Sequence, residues 1–307
     1  MPTLGRRGFT LVELLVAIVL LGIISGAIYQ VLVNNQRTYQ AQTQQIDLQQ
    51  NLRAAVAILP AEFRELNAVD GDINALSATS ITIRAMRKLG FLCVPPPLPA
   101  GLGNIPFVIR AQPMFGRNLP FAVNDSVLVF FQGNAMSRTD DVWLPAQVKT
   151  ADAAVCTDGT AGFVVQMAPQ WLNGSQNVAG AISGGSPIRA FETVRYRVYQ
   201  ALPDTNWYLG YESVHSSAGS ATIQPLVGPL NGSAGMELDY FDSTGVVTTD
   251  SSKVALIEIH LRAKTAQPVR SGGPQGPLAN KVDSITTRVA LRNNPRCGPG
   301  SAPFTIC

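Results

Sequence analysis

The residues near the N-terminus that could do chemistry are two arginines, a glycine and one acid, set against a long apolar run. Residues 5–22 read GRRGFTLVELLVAIVLLG, so Arg6, Arg7 and Gly8 precede the run and Glu13 lies inside it. A carboxylate at membrane depth costs several kcal/mol unless it finds a partner. Glu13 is therefore a candidate functional residue. The alternative is an acid near the end of the run that simply reaches the membrane interface.

The apolar run is long enough to cross a membrane. Residues 9–33 contain no charge except Glu13, and as a helix they span about 37 Å, against a bilayer core of about 30 Å. A secretory signal peptide would have a shorter apolar stretch followed by a small-residue cleavage site, and no A-x-A-like site follows here. Arg6 and Arg7 predict that the N-terminal end stays in the cytoplasm and the rest lies outside.

The segment from Gly8 to Glu13, GFTLVE, carries a family resemblance. With its short basic leader and the apolar helix that follows, it resembles the class III leader of type IV pilins and type II secretion pseudopilins. In that family a prepilin peptidase cuts after the glycine, here Gly8, and methylates the new N-terminus, here Phe9. The resemblance assigns the family's assembly carboxylate to Glu13. An ammonium at Phe9 would offset the burial of that carboxylate, within one chain or between neighbouring subunits.

The helix is predicted to continue beyond the membrane segment, because no glycine or proline occurs between Ala27 and Leu59. Pro60 predicts a kink or a helix restart near Leu59, since proline lacks the backbone donor. Apolar residues recur at steps of three and four and predict one face that covers a sheet. These residues are Leu48, Leu52, Ala55, Val56, Leu59, Phe63 and Leu66.

The rest of the chain alternates between apolar and polar residues, which predicts strands. The predicted strands cover residues 80–85, 125–132, 192–199, 206–212, 236–241, 254–262 and 284–291. Turn residues separate several of them, so the sheet is expected to be largely antiparallel. The predicted fold class is α+β, a long N-terminal helix packed on this sheet in a pilin-like arrangement. The predicted organisation is a leader (1–8), a transmembrane or filament-core helix (9–33), an amphipathic continuation (34–69) and a β-rich head (70–307).

Proline and glycine predict loops in three places. Residues 94–120 hold too many prolines for a helix or a central strand, residues 173–187 are rich in glycine and serine, and residues 266–280 link the last two strands. Surface loops of this kind often carry binding function, although mobile connections are commoner. NLRAAVAILPAEFREL, residues 51–66, resembles the helix of PilW-type minor pilins and J-type pseudopilins. MELDYFDSTGVVTTD, VALIEIHLRAK and ITTRVALRN resemble the C-terminal half of PilW-type minor pilins.

The four cysteines form an even set in the part of the chain predicted to lie outside the cytoplasm. Disulfides are the natural interpretation, with three possible connectivities. Cys297 with Cys307 would close a short terminal loop and leave Cys93 with Cys156, which is the favoured pairing. A metal site is the alternative, but no C-x-x-C or clustered histidine accompanies the cysteines.

Charge and histidine content argue against other classes of function. The net charge is +3, and two of the positive charges are Arg6 and Arg7, so no broad attraction to nucleic acid is expected. His260 alternates with polar residues on its strand, and His215 lies in a loop without a recognisable partner. The D-x-D-x-N spacing of residues 70–74 lacks the glycine and distal glutamate of a calcium loop, and a turn is favoured. Neither an enzyme nor a cofactor is predicted.

The pattern as a whole predicts a minor pilin-like structural subunit of a type IV pilus or related pseudopilus, placed at the tip or priming assembly. An adhesin that binds through loops 94–120 and 173–187 is one alternative, and a type II secretion minor pseudopilin is another. The implied partners are a prepilin peptidase, other minor and major pilins or pseudopilins, and the inner-membrane assembly platform. The expected location is the bacterial inner membrane, with the head periplasmic, and then the filament.

Overall fold

A computed structural model of the 307-residue chain describes residues 9–97, 104–132, 141–169, 182–214, 223–270 and 276–292. One α-helix and a large antiparallel sheet make up the α+β fold that the sequence predicts. The helix is α1 (Leu11–Arg64). The strands are β1 (Ile73–Ser77), β2 (Ser80–Val94), β3 (Ile105–Arg110), β4 (Phe115–Gly116), β5 (Ser126–Phe131), β6 (Val142–Val155), β7 (Ala161–Pro169), β8 (Pro187–Gln200), β9 (Trp207–Ser213), β10 (Ile223–Leu230), β11 (Met236–Phe241), β12 (Leu256–Lys264), β13 (Val269–Arg270), β14 (Leu278–Ala279) and β15 (Val282–Ala290).

The second half of α1 is held by its apolar face. The buried residues of the helix lie at steps of three and four, as predicted: Leu48, Leu52, Ala55, Leu59 and Phe63, together with Pro60. The restart expected near Leu59 is wrong, because the helix runs through Pro60 to Arg64. Pro60 removes one hydrogen bond in the last turns of the helix, and its burial with Leu59 and Phe63 holds the helix across that position.

The sheet against α1 consists of long antiparallel strands. β1, β2, β8, β9, β10 and β12 follow one another, and β12 also pairs with β11 and β15. The helix contacts this sheet mainly at β15, β10 and β12. Its core joins the buried face of α1 to strand residues such as Ile83, Val194 and Ile259. The strands predicted from alternation all lie in the observed sheet, and the predicted residues 236–241 coincide with β11.

A second, separate core lies inside a small barrel. β2, β3, β7, β6, β5 and β8 pair in that order, and β8 pairs again with β2, so the six strands close into a ring. The ring encloses its own apolar cluster, with Phe107, Val129 and Met167 among the fully buried residues. β2 and β8 are long enough to take part in both the sheet on α1 and the barrel. These two strands therefore connect the barrel to that sheet.

The sequence did not predict this barrel, and the loop interpretation of residues 94–120 is wrong in part. β3 lies within that stretch, with Ile105, Phe107 and Ile109 pointing into the barrel core. Pro106 lies in the strand opposite Gln166 of β7. β3 pairs with β2 only through Val108 and Ile109. The edge of β3 that faces β2 is therefore unpaired at Pro106, where a proline without a backbone N–H is tolerated.

The other predicted loops lie partly outside the described residues. Residues 266–280 do connect β12 to β15, and the short strands β13 and β14 pair with each other there. Of residues 173–187, those from 173 to 181 lie outside the described residues, and Pro187 already begins β8.

A disulfide joins Cys93, near the end of β2, to Cys156, which follows β6. This is the pairing that the sequence favours. The bond links β2, which belongs to both the sheet and the barrel, to the turn between β6 and β7. In the barrel, β3 lies between β2 and β7. Cys297 and Cys307 lie outside the described residues.

Candidate functional site

The predicted assembly residues lie at the start of α1. Gly8 lies outside the described residues, and Phe9 is 84% exposed. Thr10 caps the helix: its side-chain oxygen accepts from the backbone N–H of Glu13 at 3.3 Å. The Glu13 carboxylate reaches back and accepts from the backbone N–H of Thr10 at 3.4 Å. Together the two contacts form a capping box, which satisfies two free donors of the first turn.

This capping role of Glu13 was not foreseen, although the spacing Thr10-x-x-Glu13 is its signature in sequence. The family resemblance implies only an ammonium partner at Phe9 for this acid. The two roles are compatible, since the capping box turns the carboxylate toward the N-terminal end of the helix. The helix dipole also favours a negative charge there. In the isolated chain, Glu13 thus has a local partner in the backbone of Thr10.

The first half of α1 presents apolar side chains to its surroundings on every side. Its most apolar stretch is wholly exposed, and by length and composition α1 is the one described helix that could cross a membrane. Because soluble proteins rarely expose an apolar surface of this extent, the stretch needs lipid or other helices around it. Its exposed large residues include Leu11, Val12, Leu14, Leu15, Val16, Ile18, Val19, Leu20, Leu21, Ile23, Ile24, Ile28, Val31 and Leu32.

Polar contacts attach the middle of α1 to the head. Lys281 donates to the side-chain oxygen of Gln45 at 2.8 Å, and the backbone N–H of Gln267 donates to Gln44 at 3.1 Å. About two turns further on, the Asn51 amide donates to the carbonyl of Gly228 at 2.8 Å. These bonds begin at Gln44, about three turns beyond the apolar run of residues 9–33, so the head holds the helix only in its second half.

An ion-pair network holds the end of α1 against the sheet. Arg87 of β2 donates to both carboxylate oxygens of Glu62, at 3.1 and 3.0 Å, and to Glu192 of β8 at 3.2 Å. Tyr211 donates to the same Glu192 oxygen at 2.9 Å. Burial disfavours the charged guanidinium, but Glu62, with further contributions from Glu192 and Tyr211, outweighs it, and the pKa of Arg87 is raised. Burial likewise opposes the Glu192 charge, while hydrogen bonds from Ser213, Tyr211 and Arg87 lower its pKa.

The residues considered for catalysis or metal binding have structural partners or lie outside the described part. His260 contacts Asp239 at 3.2 Å and Thr286 at 2.9 Å, so it joins neighbouring strands. His215 lies outside the described residues. Within the described ranges, no group of three or more His, Cys, Asp or Glu could hold a metal ion.

The turn predicted at residues 70–74 is present only in its first part: residues 68–71 form a turn, and residues 73–74 already belong to β1. Asp70 accepts from the Asn67 side chain at 2.7 Å, and Asp72 accepts from the Asn67 backbone at 3.0 Å. Both acids therefore close the turn around Asn67. Burial raises the pKa of Asp72 despite this hydrogen bond.

Comparison with known proteins identifies one segment of the chain. The family model of the prokaryotic N-terminal methylation motif matches residues 4–29. This match covers the basic leader, the capping box and most of the exposed apolar half of α1. No curated protein and no solved structure matches the chain.

Proposed function

We propose that this chain is a minor pilin-like structural subunit that takes part in assembling a type IV pilus or a related pseudopilus. The observation that carries the proposal is the coincidence of three features in residues 4–29. These are the N-terminal methylation motif, the exposed apolar first half of α1, and Glu13 in the first turn of that helix. The motif itself supports a type IV pilin-like or pseudopilin-like protein; the minor role is the further step.

Processing would remove the leader. A prepilin peptidase hydrolyses the peptide bond after Gly8, which releases residues 1–8 and leaves an ammonium at Phe9, and the enzyme then methylates that nitrogen. Arg6 and Arg7 keep the leader on the cytoplasmic side of the inner membrane, where it can be cut, and the head lies in the periplasm. The exposed Phe9 at the start of α1 is consistent with an accessible cleavage site.

After cleavage, Glu13 would exchange one partner for another. In the isolated chain it caps the helix through Thr10. In the filament, an ammonium at Phe9 of the same or a neighbouring subunit attracts the carboxylate in a low-dielectric core, which sets the register between helices. In a helix that stays in the bilayer, burying this carboxylate would cost free energy without a benefit. In a helix that leaves the bilayer for a filament, the same carboxylate can pair with the ammonium and align the helices.

The head supports a place at the tip or in priming assembly. The barrel adds a second core beside the sheet that covers α1, so every repeat along a shaft would have to accommodate this extra bulk. The resemblance of residues 51–66 and 236–293 to PilW-type minor pilins supports the same role. Its partners would be other minor and major pilins or pseudopilins and the inner-membrane assembly platform, and its role would be structural and not enzymatic. Immunogold labelling spaced along the whole filament would contradict the tip position.

The experiment that tests this function compares two acids on the same helix. Glu13→Gln and Glu13→Leu should leave the protein in the membrane fraction but reduce its amount in sheared filaments at least about 10-fold, because the register charge is lost. Asp47→Asn is the matched control, since Asp47 is an exposed acid further along α1. Filaments that incorporate Glu13→Leu as well as the wild type would overturn the proposal.

A further inference from the structure

A cleft lies where the end of α1, the sheet and the barrel meet, and the filament role does not use it. Its volume is about 890 Å³, within the range of ligand-binding clefts. Glu62 lines one side, Arg87 and Glu192 form part of the floor, and the segment from Arg117 to Asp125 forms the barrel side. Clefts at the junction of two packed units are preferred places for ligands.

The floor of this cleft is polar but electrically balanced. Arg87 is paired with Glu62 and Glu192. Lys88, whose side chain is only 6% exposed, is paired with Asp125 at 2.6 Å. These charged side chains already form ion pairs with one another. The floor therefore has no excess charge that would favour a ligand with several charges, such as a polyphosphate. A ligand that fits must be largely uncharged and rich in hydrogen-bonding groups.

The rim on the barrel side is held in place before any ligand arrives. Gly116 has φ +120°, and a Cβ there would lie 2.0 Å from the Arg87 carbonyl, so the chain passes directly against β2. The next residue, Arg117, donates its backbone N–H to that same carbonyl at 2.9 Å. Lys88 donates to the Pro120 carbonyl at 3.0 Å and fixes the following turn. Such order lowers the entropy lost on binding.

The rim supplies a distinct set of side chains. Arg117 is exposed, and it makes no ion pair within the described part of the chain. Four amides line the same cleft: Asn118, Asn124, Gln147, whose oxygen already accepts from Lys149, and Gln224. Each amide offers both a donor and an acceptor, which matches the dual character of a hydroxyl group. A guanidinium without a partner matches one carboxylate, in a bidentate fashion.

We propose that this cleft binds a saccharide that carries a carboxylate, of the hexuronic acid type, with Arg117 on the carboxylate and the rim amides on the hydroxyls. The Tyr211 ring in the cleft wall offers an aromatic surface to the sugar. Such binding would give the head a recognition activity in addition to its place in a filament. It does not depend on the filament role, because the cleft lies wholly in the head and the end of α1.

The test uses the full-length chain in a detergent without sugar groups, so that the detergent cannot occupy the cleft. Two matched pairs serve as probes: galacturonate with galactose, and glucuronate with glucose. Saturation-transfer NMR and titration at millimolar concentrations measure binding. At least one uronate should bind more tightly than its neutral counterpart. Arg117→Gln should weaken that uronate about 10-fold and leave the neutral sugar unchanged, because it removes only the carboxylate partner.

Two further variants keep the result interpretable. Arg53→Gln removes an exposed arginine on α1, outside the cleft, and should not alter binding. Gln224→Ala removes a rim amide and should weaken the acidic and the neutral sugar of a pair alike, about threefold. The proposal is overturned if neither uronate binds the wild type, if the neutral sugars bind equally well, or if Arg117→Gln and Arg53→Gln behave the same.

Discussion

Both halves of α1 carry large apolar side chains, but these side chains have opposite surroundings. Leu20 in the first half is 53% exposed, whereas Leu59 in the second half is fully buried against the sheet. One continuous helix therefore lies in two environments. Its second half packs on the head, and its first half needs lipid or the helices of other subunits around it. The difference teaches that helical pattern alone does not fix the partner of an apolar face. The partner depends on whether the same chain supplies a matching surface.

The largest expected effect separates the two halves by a matched pair of substitutions. Leu59→Ala should lower the free energy of unfolding of the head by about 2–5 kcal/mol, because it leaves a cavity in the shared core. Leu20→Ala should change it by less than about 0.5 kcal/mol, because Leu20 is exposed and no head residue in the described ranges packs on it. Urea unfolding in detergent, followed by tryptophan fluorescence, measures both. Equal losses for the two variants would break the distinction between the halves.

A smaller effect tests the ion-pair network that fixes the end of the buried half. The Glu192 pKa lies below its ordinary 4.5 in the folded protein, so its charge stabilises the fold above that pH and loses this effect as pH falls through the folded value. Glu192→Gln should therefore cost about 2 kcal/mol at neutral pH, where Arg87 loses a charged partner. The difference from the wild type should shrink below pH 4.5.

Glu237→Gln is the control for this measurement, because the one ion pair of Glu237 among the described residues is a long surface contact with Arg262, at 3.8 Å. Its effect should stay within about 1 kcal/mol. A loss for Glu192→Gln that stayed constant from neutral pH down to pH 3 would show that its charge is not what holds the network.

The smallest expected effect lies between the two halves. Gln45→Ala removes the acceptor of Lys281 on the exposed side of the helix, and the free energy of unfolding should fall by no more than about 0.5 kcal/mol. The same urea titration measures it. A loss of unfolding free energy as large as that of Leu59→Ala would contradict this expectation. It would show that the head packs tightly on α1 as far toward the membrane half as Gln45.

The unbroken apolar run predicted the first half of α1, and the periods of 3.6 and 2 predicted its second half and the sheet beside it. The barrel escaped prediction for a physical reason. Its strands carry prolines, such as Pro106 and Pro145, at positions that local rules assign to loops. β2 also continues past Ala85 through Gly90, where a Cβ would lie 3.0 Å from Ile109 and Phe121, a constraint set by distant residues.

The candidate site shows the same division. Glu13 and its motif stand out in the sequence because a charge interrupts an apolar run. The network of Glu62, Arg87 and Glu192 could not be predicted, since its members lie far apart in the chain and meet only when β2 and β8 pair. Local sequence patterns therefore predict the first half of α1, which projects from the head. The contacts that hold the second half on the head become visible only once the strands are paired.

The central claim is that the exposed half of α1 is the processed N-terminus of a filament subunit. Mass spectrometry of the N-terminal peptide, taken from a host with an active prepilin peptidase, tests it most directly. We predict a mature chain that begins at Phe9 and carries a methyl group on its N-terminal nitrogen, and Gly8→Val should leave the leader attached. A wild-type chain that still begins at Met1 in that host would contradict the claim.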